Sequence, residues 1–106
     1  MAAIEDATGL YRQLAAAQPD AFRPDLATAL NNPSGRLADL GRWEEALAVI
    51  EEAVTIRRQL AAARPTVFAS EYANSLEAKA LILSALGREA EVQAVQHEIL
   101  AARSNG

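Results

Sequence analysis

The sequence predicts an all-α fold in which antiparallel helix pairs stack into a short solenoid. Hydrophobic residues make up 51% of the 106 positions, and they are mostly alanine and leucine, which favour helix over strand. The segment from Tyr11 to Phe22 also returns as the segment from Arg57 to Phe68, a repeat of about 46 residues. Such a repeat is typical of solenoids, in which each unit buries its apolar face against a neighbour.

The register of the repeat holds well beyond these two segments. It also relates eight further pairs of identical residues: Ile4 and Ile50, Glu5 and Glu51, Ala7 and Ala53, Leu30 and Leu76, Leu37 and Leu83, Leu40 and Leu86, Gly41 and Gly87, Arg42 and Arg88. Insertions or deletions would have broken this correspondence. We therefore expect one domain of about five helices over residues 1–106, with two copies of one unit.

Turn residues divide the chain into five segments with apolar residues at helical spacing. The predicted helices are a leading helix at 3–17, a first pair at 21–40 and 43–63, and a second pair at 67–86 and 88–103. Asp20 and Thr66 each follow a proline, and we expect them to cap the helices that they precede. Gly41 and Gly87 each follow a leucine and should end a helix in a left-handed conformation.

The helix predicted at 43–63 carries two rows of apolar residues rather than one. Ala46, Ile50 and Ala53 belong to one row, and Leu47 and Val54 belong to the other. A helix with two apolar rows is contacted from two sides, so this segment should lie in the middle of the stack. Its small alanines should let a partner helix approach closely.

Charge and composition exclude several classes of function. The net charge of −4 argues against a nucleic-acid partner, which would require clustered lysine and arginine. The chain has no cysteine, so it holds no disulfide, thiolate metal site or cysteine nucleophile. No apolar run approaches the roughly 20 residues of a membrane span, and no signal peptide is recognisable. We expect a cytoplasmic protein with no membrane partner.

The turn from Leu40 to Leu47 reads Leu-Gly-Arg-Trp-Glu-Glu-Ala-Leu, and small residues follow at Ala46 and Ala53. With alternating helices, this pattern resembles the tetratricopeptide repeat (TPR), in its longer, kinesin-light-chain-like variety. The resemblance covers nearly the whole chain, as pairs at 21–63 and 67–103 behind a leading helix. It implies a right-handed superhelix whose concave face is lined by the first helix of each pair. These repeats are generic interaction scaffolds.

The resemblance also implies which residues face the groove. They are Thr28, Asn31, Ala38 and Asp39 from the first pair, with Asn74, Glu77, Leu81 and Ser84 from the second. The asparagine side chains each offer a donor and an acceptor to a peptide backbone. The set lacks the lysines that clamp a terminal carboxylate in chaperone-binding members of the family, so we expect a basic or neutral partner. The alternative is that these residues only solvate helix faces.

Pro33 and Gly35 fall inside the helix predicted at 21–40. A proline in a helix interior costs roughly 3 kcal/mol and a glycine about 1, so the helix should kink or break there. One reading is a tolerated kink. The other is a hinge that opens the repeat for helix exchange between two chains or for ligand entry.

Residues that suggest chemistry have simpler explanations. His97 is the single histidine and has no second ligand at metal-site spacing, so we expect neither a metal nor any other cofactor. The pairs Glu44-Glu45 and Glu51-Glu52 lie at first-turn and outward helix positions, where carboxylates solvate the surface. Nothing resembles a nucleophile with its base, and the sequence predicts a protein that is not an enzyme.

The sequence therefore predicts an interaction scaffold that binds a peptide or protein on its concave face. About two and a half repeats fall below the three that usually make a self-sufficient stack. We therefore expect a homo-oligomer formed through open ends, or a fragment of a longer array. The alternative function is a sensory or regulatory repeat segment of a larger multidomain signalling protein.

Overall fold

The computed structural model describes residues 2–105, and it describes side chains from residue 8 to residue 104. Over this part of the chain the protein is all-α, with five helices and no strand. The helices are α1 (Ala2–Ala17), α2 (Pro19–Asp39), α3 (Trp43–Ala63), α4 (Pro65–Ala85) and α5 (Glu89–Asn105). The predicted fold class is confirmed, and each predicted helix is present.

Each helix packs against the next one in the chain, from α1 on α2 to α4 on α5. The Cα atoms span 37 × 34 × 14 Å. The short dimension fits two layers of helices, because the axes of packed helices lie about 8–10 Å apart. Ion pairs join α1 to α3 and α3 to α5, so these helices, which are two apart in the chain, lie within side-chain reach of each other.

The sequence repeat is visible in these ion pairs. Arg12 on α1 donates two hydrogen bonds to Glu52 on α3, one of them at 2.8 Å. One repeat later, Arg58 on α3 donates two to Glu98 on α5, at 2.7 and 2.9 Å. The same pair of positions therefore joins successive units, so the two sequence copies are also structural copies.

Helices α2 and α4 begin earlier than predicted. Pro19 and Pro65 are the first residues of α2 and α4, and the capping positions are Gln18 and Arg64, neither of which makes a side-chain capping bond. The prediction that Asp20 and Thr66 cap these helices is wrong. Proline suits the first helical position because its fixed φ is already helical and the amide hydrogen that it lacks would have no partner there.

The glycine helix ends are confirmed. Gly41 and Gly87 have φ values of 75° and 74°, which only glycine adopts without strain. After Gly41, the Arg42 amide donates to the Leu37 carbonyl at 2.8 Å, while the Gly41 amide donates to the Ala38 carbonyl at 2.9 Å. The turn at Gly87 repeats this pattern, so both ends are Schellman motifs.

The predicted outcome at Pro33 was a kink or a break, and the break is wrong, because helix α2 continues through both Pro24 and Pro33. Pro33 is buried, and the next residue, Ser34, is 2% exposed and donates a hydrogen bond to the Ala46 carbonyl on α3 at 3.3 Å. This packing against α3 holds the helix across the position where an amide hydrogen is missing. The proposed hinge at Pro33 and Gly35 stays a prediction.

The core runs the length of the stack and is built on fully buried alanines with larger aliphatic residues between them. The residues at 0% exposure are Ala27, Ala46, Ala53, Ala73, Ser75, Leu76 and Leu83. Helix α3 packs on both α2 and α4, which confirms its predicted place in the middle of the stack. Ile50 and Val54, one from each of its predicted apolar rows, are both 1% exposed. Because of this middle position, α3 contributes residues to the base of the candidate site described below.

Candidate functional site

A groove of about 420 Å³ lies between α2 and α4, with α3 as its floor. The residues that line it are Asn31, Ser34, Gly35, Ala38, Asp39, Trp43, Ile50, Ala78, Leu81 and Ile82. Most of this lining is apolar, and its few polar groups come from α2. Hereafter we call this set the groove.

Asn31 carries the polar atom that distinguishes the groove. Its side-chain oxygen is buried and has no hydrogen-bond partner among the described residues. A buried acceptor without a donor costs about 1–3 kcal/mol, and native proteins seldom keep one without a reason. A ligand that brings an N–H group to this oxygen recovers that energy on binding.

Leu81 and Asp39 set the character of the opposite walls. Leu81 on α4 is 72% exposed, the most exposed large hydrophobic residue in the described part of the chain. Asp39, near the end of α2, is exposed and supplies a carboxylate. Gly35 on α2 also lines the groove, and a Cβ atom placed on it would meet nothing within 4 Å. The groove thus offers an apolar wall, a carboxylate and an open approach.

The structure brings together half of the predicted groove residues. The predicted residues that line the groove are Asn31, Ala38, Asp39 and Leu81, whereas those outside it are Thr28, Asn74, Glu77 and Ser84. Asn74 is exposed outside it. Glu77 accepts a hydrogen bond from Arg103 on α5 at 2.7 Å, so its carboxylate is held toward the neighbouring helix.

Thr28, which is exposed, instead contacts a hydrogen-bonded cluster at the meeting of three helices. The centre of this cluster is Arg57 on α3, which is 5% exposed. Arg57 donates to the Ser75 hydroxyl at 2.7 Å, to the Glu71 carbonyl at 3.2 Å and to the Thr28 hydroxyl at 3.3 Å. Thr28 in turn donates to the Pro24 carbonyl at 3.1 Å. The cluster joins α2, α3 and α4 by side-chain hydrogen bonds.

Burial lowers the pKa of the Arg57 guanidinium from its ordinary value, because a charge is poorly solvated there, and the negative charge of Glu71 opposes this shift. The Arg57 Nε atom has no hydrogen-bond partner in the described residues. A guanidinium remains protonated under ordinary conditions even so. Arg57 therefore holds a positive charge where α3 meets the middle parts of α2 and α4.

Sequence reasoning missed several residues of the groove. Trp43 was not among the predicted groove residues, yet it lines the groove. Ile50 was predicted only as part of an apolar row and Ile82 was given no role, and both line the groove. The short turn between α2 and α3 is what carries Trp43 back toward α2. In the sequence, the position of Trp43 just after the Gly41 turn was the feature that could have indicated its place in the groove.

The described residues offer little for metal or acid-base chemistry. No group of three or more histidine, aspartate or glutamate side chains among them is placed to hold a metal ion. His97 is exposed on α5, away from the groove. Over residues 2–105, none of the helices is long and apolar enough to cross a membrane.

No protein-family model matches the chain, and no curated protein or solved structure matches it. The internal repeat and the geometry of the groove are therefore the basis for a functional interpretation.

Proposed function

We propose that this protein is a non-catalytic interaction scaffold of the tetratricopeptide-like kind, which binds a peptide segment of a partner in the groove between α2 and α4. The observation that carries the proposal is the buried, unpartnered oxygen of Asn31 in a groove that also exposes Leu81. An apolar pocket with a few convergent polar groups is the usual form of a binding site.

The groove chemistry defines the partner segment. Leu81, Ala78 and Ile82 suit one apolar side chain, and burial of such a side chain contributes about 1.5–3 kcal/mol. The Asn31 oxygen suits an N–H donor from a peptide backbone or side chain. The carboxylate of Asp39 favours a neutral or basic segment over an acidic one.

The test is a selection of random peptides displayed on phage against the wild-type chain. Binding of the selected peptides is then measured through the fluorescence of Trp43, which is the single tryptophan and lines the groove. We expect Leu81→Asp to weaken binding by about tenfold or more, which corresponds to 1.4 kcal/mol. Asn31→Leu should weaken it less.

The matched control is Leu100→Asp, because Leu100 is 67% exposed on α5 and does not line the groove. Peptides that bind all three variants as well as the wild type would refute the groove as the binding site. A selection that returns only acidic peptides would refute the inferred charge preference.

Exposed leucines at the two ends favour self-association as a second candidate function. Leu10 on α1 is 54% exposed, while Ile56 at the same repeat position of α3 is 7% exposed. Leu100 on α5 is 67% exposed, and its counterpart on α3, Val54, is 1% exposed. The middle helix is covered by a neighbour on each side, whereas each outer helix leaves one of these apolar positions uncovered. A second copy of the chain would cover them.

Sedimentation velocity over a dilution series tests this second function. We expect the wild type to form dimers or larger species at high concentration, and Leu10→Glu or Leu100→Glu to shift it toward the monomer. Leu40→Glu is the control, since Leu40 is equally exposed but lies in the turn after α2. A wild-type monomer at every concentration would exclude self-association.

The alternative role, as a regulatory segment of a larger multidomain signalling protein, has no further support from the described residues and stays a prediction.

A further inference from the structure

A second opening, of about 500 Å³, lies on the surface of α2 beside the groove. It is lined by Asn31, Asn32, Gly35, Arg36 and Asp39, which all belong to α2. Asn31, Asn32 and Asp39 are three or four positions away from Gly35, so their side chains surround it on the helix surface. We call this opening the notch, because it lies where Gly35 has no side chain.

The notch and the groove are continuous across Gly35. Three residues, Asn31, Gly35 and Asp39, line both of them. At the same repeat position of α4, Leu81 carries a side chain that is 72% exposed. A leucine at position 35 would stand between the notch and the groove, whereas glycine leaves a passage over α2.

The two openings differ in polarity. All four side chains of the notch are polar or charged, whereas most of the groove lining is apolar. A ligand that occupies both therefore has an apolar part for the groove and hydrogen-bonding groups for the notch. A peptide meets both requirements, because its side chains can be apolar while its backbone carries a donor and an acceptor at nearly every residue.

The two asparagines of the notch match a peptide backbone. Each carboxamide has donors and an acceptor, as a peptide group has. The Asn31 oxygen is buried without a hydrogen-bond partner among the described residues, and Asn31 lines both openings. Glycine at position 35 lets the backbone of a ligand come close to the helix. A peptide that passes over Gly35 thus brings its backbone to these carboxamides.

Only an extended peptide has backbone groups available along its length. In an α-helix, the N–H groups beyond the first turn are already bonded to carbonyls of the same helix. A helical partner would therefore leave the Asn31 oxygen without a backbone donor. An extended segment has unpaired N–H and C=O groups along its edge, as an edge strand does.

We infer that the partner segment is an extended peptide that crosses α2 over Gly35. One apolar side chain of the peptide lies in the groove, one backbone N–H donates to the Asn31 oxygen, and the following peptide group bonds to the Asn32 carboxamide. The opposite charges of Arg36 and Asp39 balance within the notch, so the contacts there are mainly hydrogen bonds. This inference rests on the proposed function, because it adds a conformation and a path to the peptide bound in the groove.

The test uses the peptides selected against the wild-type chain and the fluorescence titration with Trp43. Each backbone N–H of a selected peptide is replaced in turn by N-methyl, which removes one donor and leaves the side chains unchanged. We expect one N-methylation to weaken binding to the wild type by about tenfold or more, equivalent to 1.4 kcal/mol. The same N-methylation should weaken binding to Asn31→Leu by less than about threefold, because that variant has already lost the acceptor.

Two further variants test the path over α2. Asn32→Ala changes the notch alone, since Asn32 does not line the groove, and it should weaken binding by about threefold or more. Gly35→Leu gives α2 the side chain that α4 has at Leu81 and should weaken binding by about tenfold or more. A Cβ atom at position 35 meets nothing within 4 Å, so this variant should fold, which circular dichroism checks.

Each of these variants has a matched control. Asn74→Ala is the control for Asn32→Ala, because Asn74 is exposed and lies outside both openings. Gly9→Leu is the control for Gly35→Leu, because Gly9 also lies inside a helix with open space around it. Both controls should bind the peptides as well as the wild type does.

Two results would overturn the inference. One is an equal effect of every N-methylation on the wild type and on Asn31→Leu, and the other is wild-type affinity in both Asn32→Ala and Gly35→Leu. Leu81→Asp separates this inference from the proposed function. If Leu81→Asp alone weakens binding, the groove is the binding site and the crossing is refuted; if Leu81→Asp has no effect, the proposed function itself fails.

Discussion

Arg57 on α3 donates a 2.7 Å hydrogen bond to the hydroxyl of Ser75 on α4, and both residues are almost completely buried. The same guanidinium reaches the Thr28 hydroxyl on α2. Three successive helices are thus joined through one side chain. Stacked repeats are stabilised by contacts between neighbours, so this arginine acts at an interface between units.

Arg57→Ala should lower the free energy of unfolding by about 1–3 kcal/mol, since it removes packing of the side-chain stem and hydrogen bonds to two hydroxyls. Urea denaturation monitored by circular dichroism measures the change. The control is Arg103→Ala at the same repeat position on α5, where the side chain is 47% exposed and pairs with Glu77. Exposed ion pairs contribute about 1 kcal/mol or less. Equal effects of the two variants would contradict the role given to Arg57.

Ala53→Leu should destabilise the stack by about 1–3 kcal/mol, because it forces a larger side chain into a filled interior. Ala53 is at 0% exposure on α3. Ala63→Leu is the control, since Ala63 is exposed at the end of the same helix. Thermal melts of both variants make the comparison, and a melting temperature of Ala53→Leu at or above that of the wild type would show that the core is looser than described.

Gly87→Ala should cost about 1–2 kcal/mol, because a φ of 74° strains any residue with a Cβ atom. Gly9→Ala should instead stabilise by about 0.5–1 kcal/mol, because Gly9 is inside α1 with open space around it. The two variants carry the same chemical change, so opposite signs in a denaturation experiment isolate the backbone conformation. Stabilisation by both would mean that the turn at Gly87 is not left-handed.

Glu98→Ala should destabilise the protein more than Glu52→Ala, although the two glutamates hold equivalent ion pairs. The Glu98 carboxylate accepts a hydrogen bond from the Tyr72 hydroxyl as well as from Arg58. Among the described residues, Glu52 accepts side-chain hydrogen bonds from Arg12 alone. We expect a loss of about 1–2 kcal/mol for Glu98→Ala and about 1 kcal/mol or less for Glu52→Ala. Raising the salt concentration should reduce the effect of Glu52→Ala more, because salt screens its ion pair with Arg12 but does not screen the hydrogen bond from the neutral Tyr72 hydroxyl to Glu98.

Pro33→Leu combined with Gly35→Asn tests the predicted hinge. If Pro33 and Gly35 act as a hinge for helix exchange between two chains, the double variant should have a lower mass in solution than the wild type at the same concentration. Light scattering measures this. The continuity of α2 through Pro33 argues for a tolerated proline, and an unchanged oligomeric state would rule the hinge out.

The sequence by itself determined the repeat, the five helices and their glycine ends. These features depend on local chemistry: the spacing of apolar residues, the ability of Gly41 and Gly87 to adopt positive φ, and the matching of positions between the two units. The starts of α2 and α4 were misplaced for an equally local reason. The local sequence allowed two helix starts, one with Asp20 or Thr66 as the cap and one with the preceding proline as the first helical residue. The structure has the second, with Pro19 and Pro65 as the first residues of α2 and α4.

Only the tertiary structure decided which polar groups are left without partners and which cavities are open. The Asn31 oxygen and the Thr8 hydroxyl look like ordinary helix-surface groups in the sequence, and their burial depends on neighbouring helices. The contrast between Pro33 and Lys79 is visible as a mismatch in the repeat, but the cavity beside Pro33 and the ion pair of the half-buried Lys79 side chain with Glu51 depend on the packed helices. Local propensity sets where a helix begins and ends, whereas packing sets what its side chains meet.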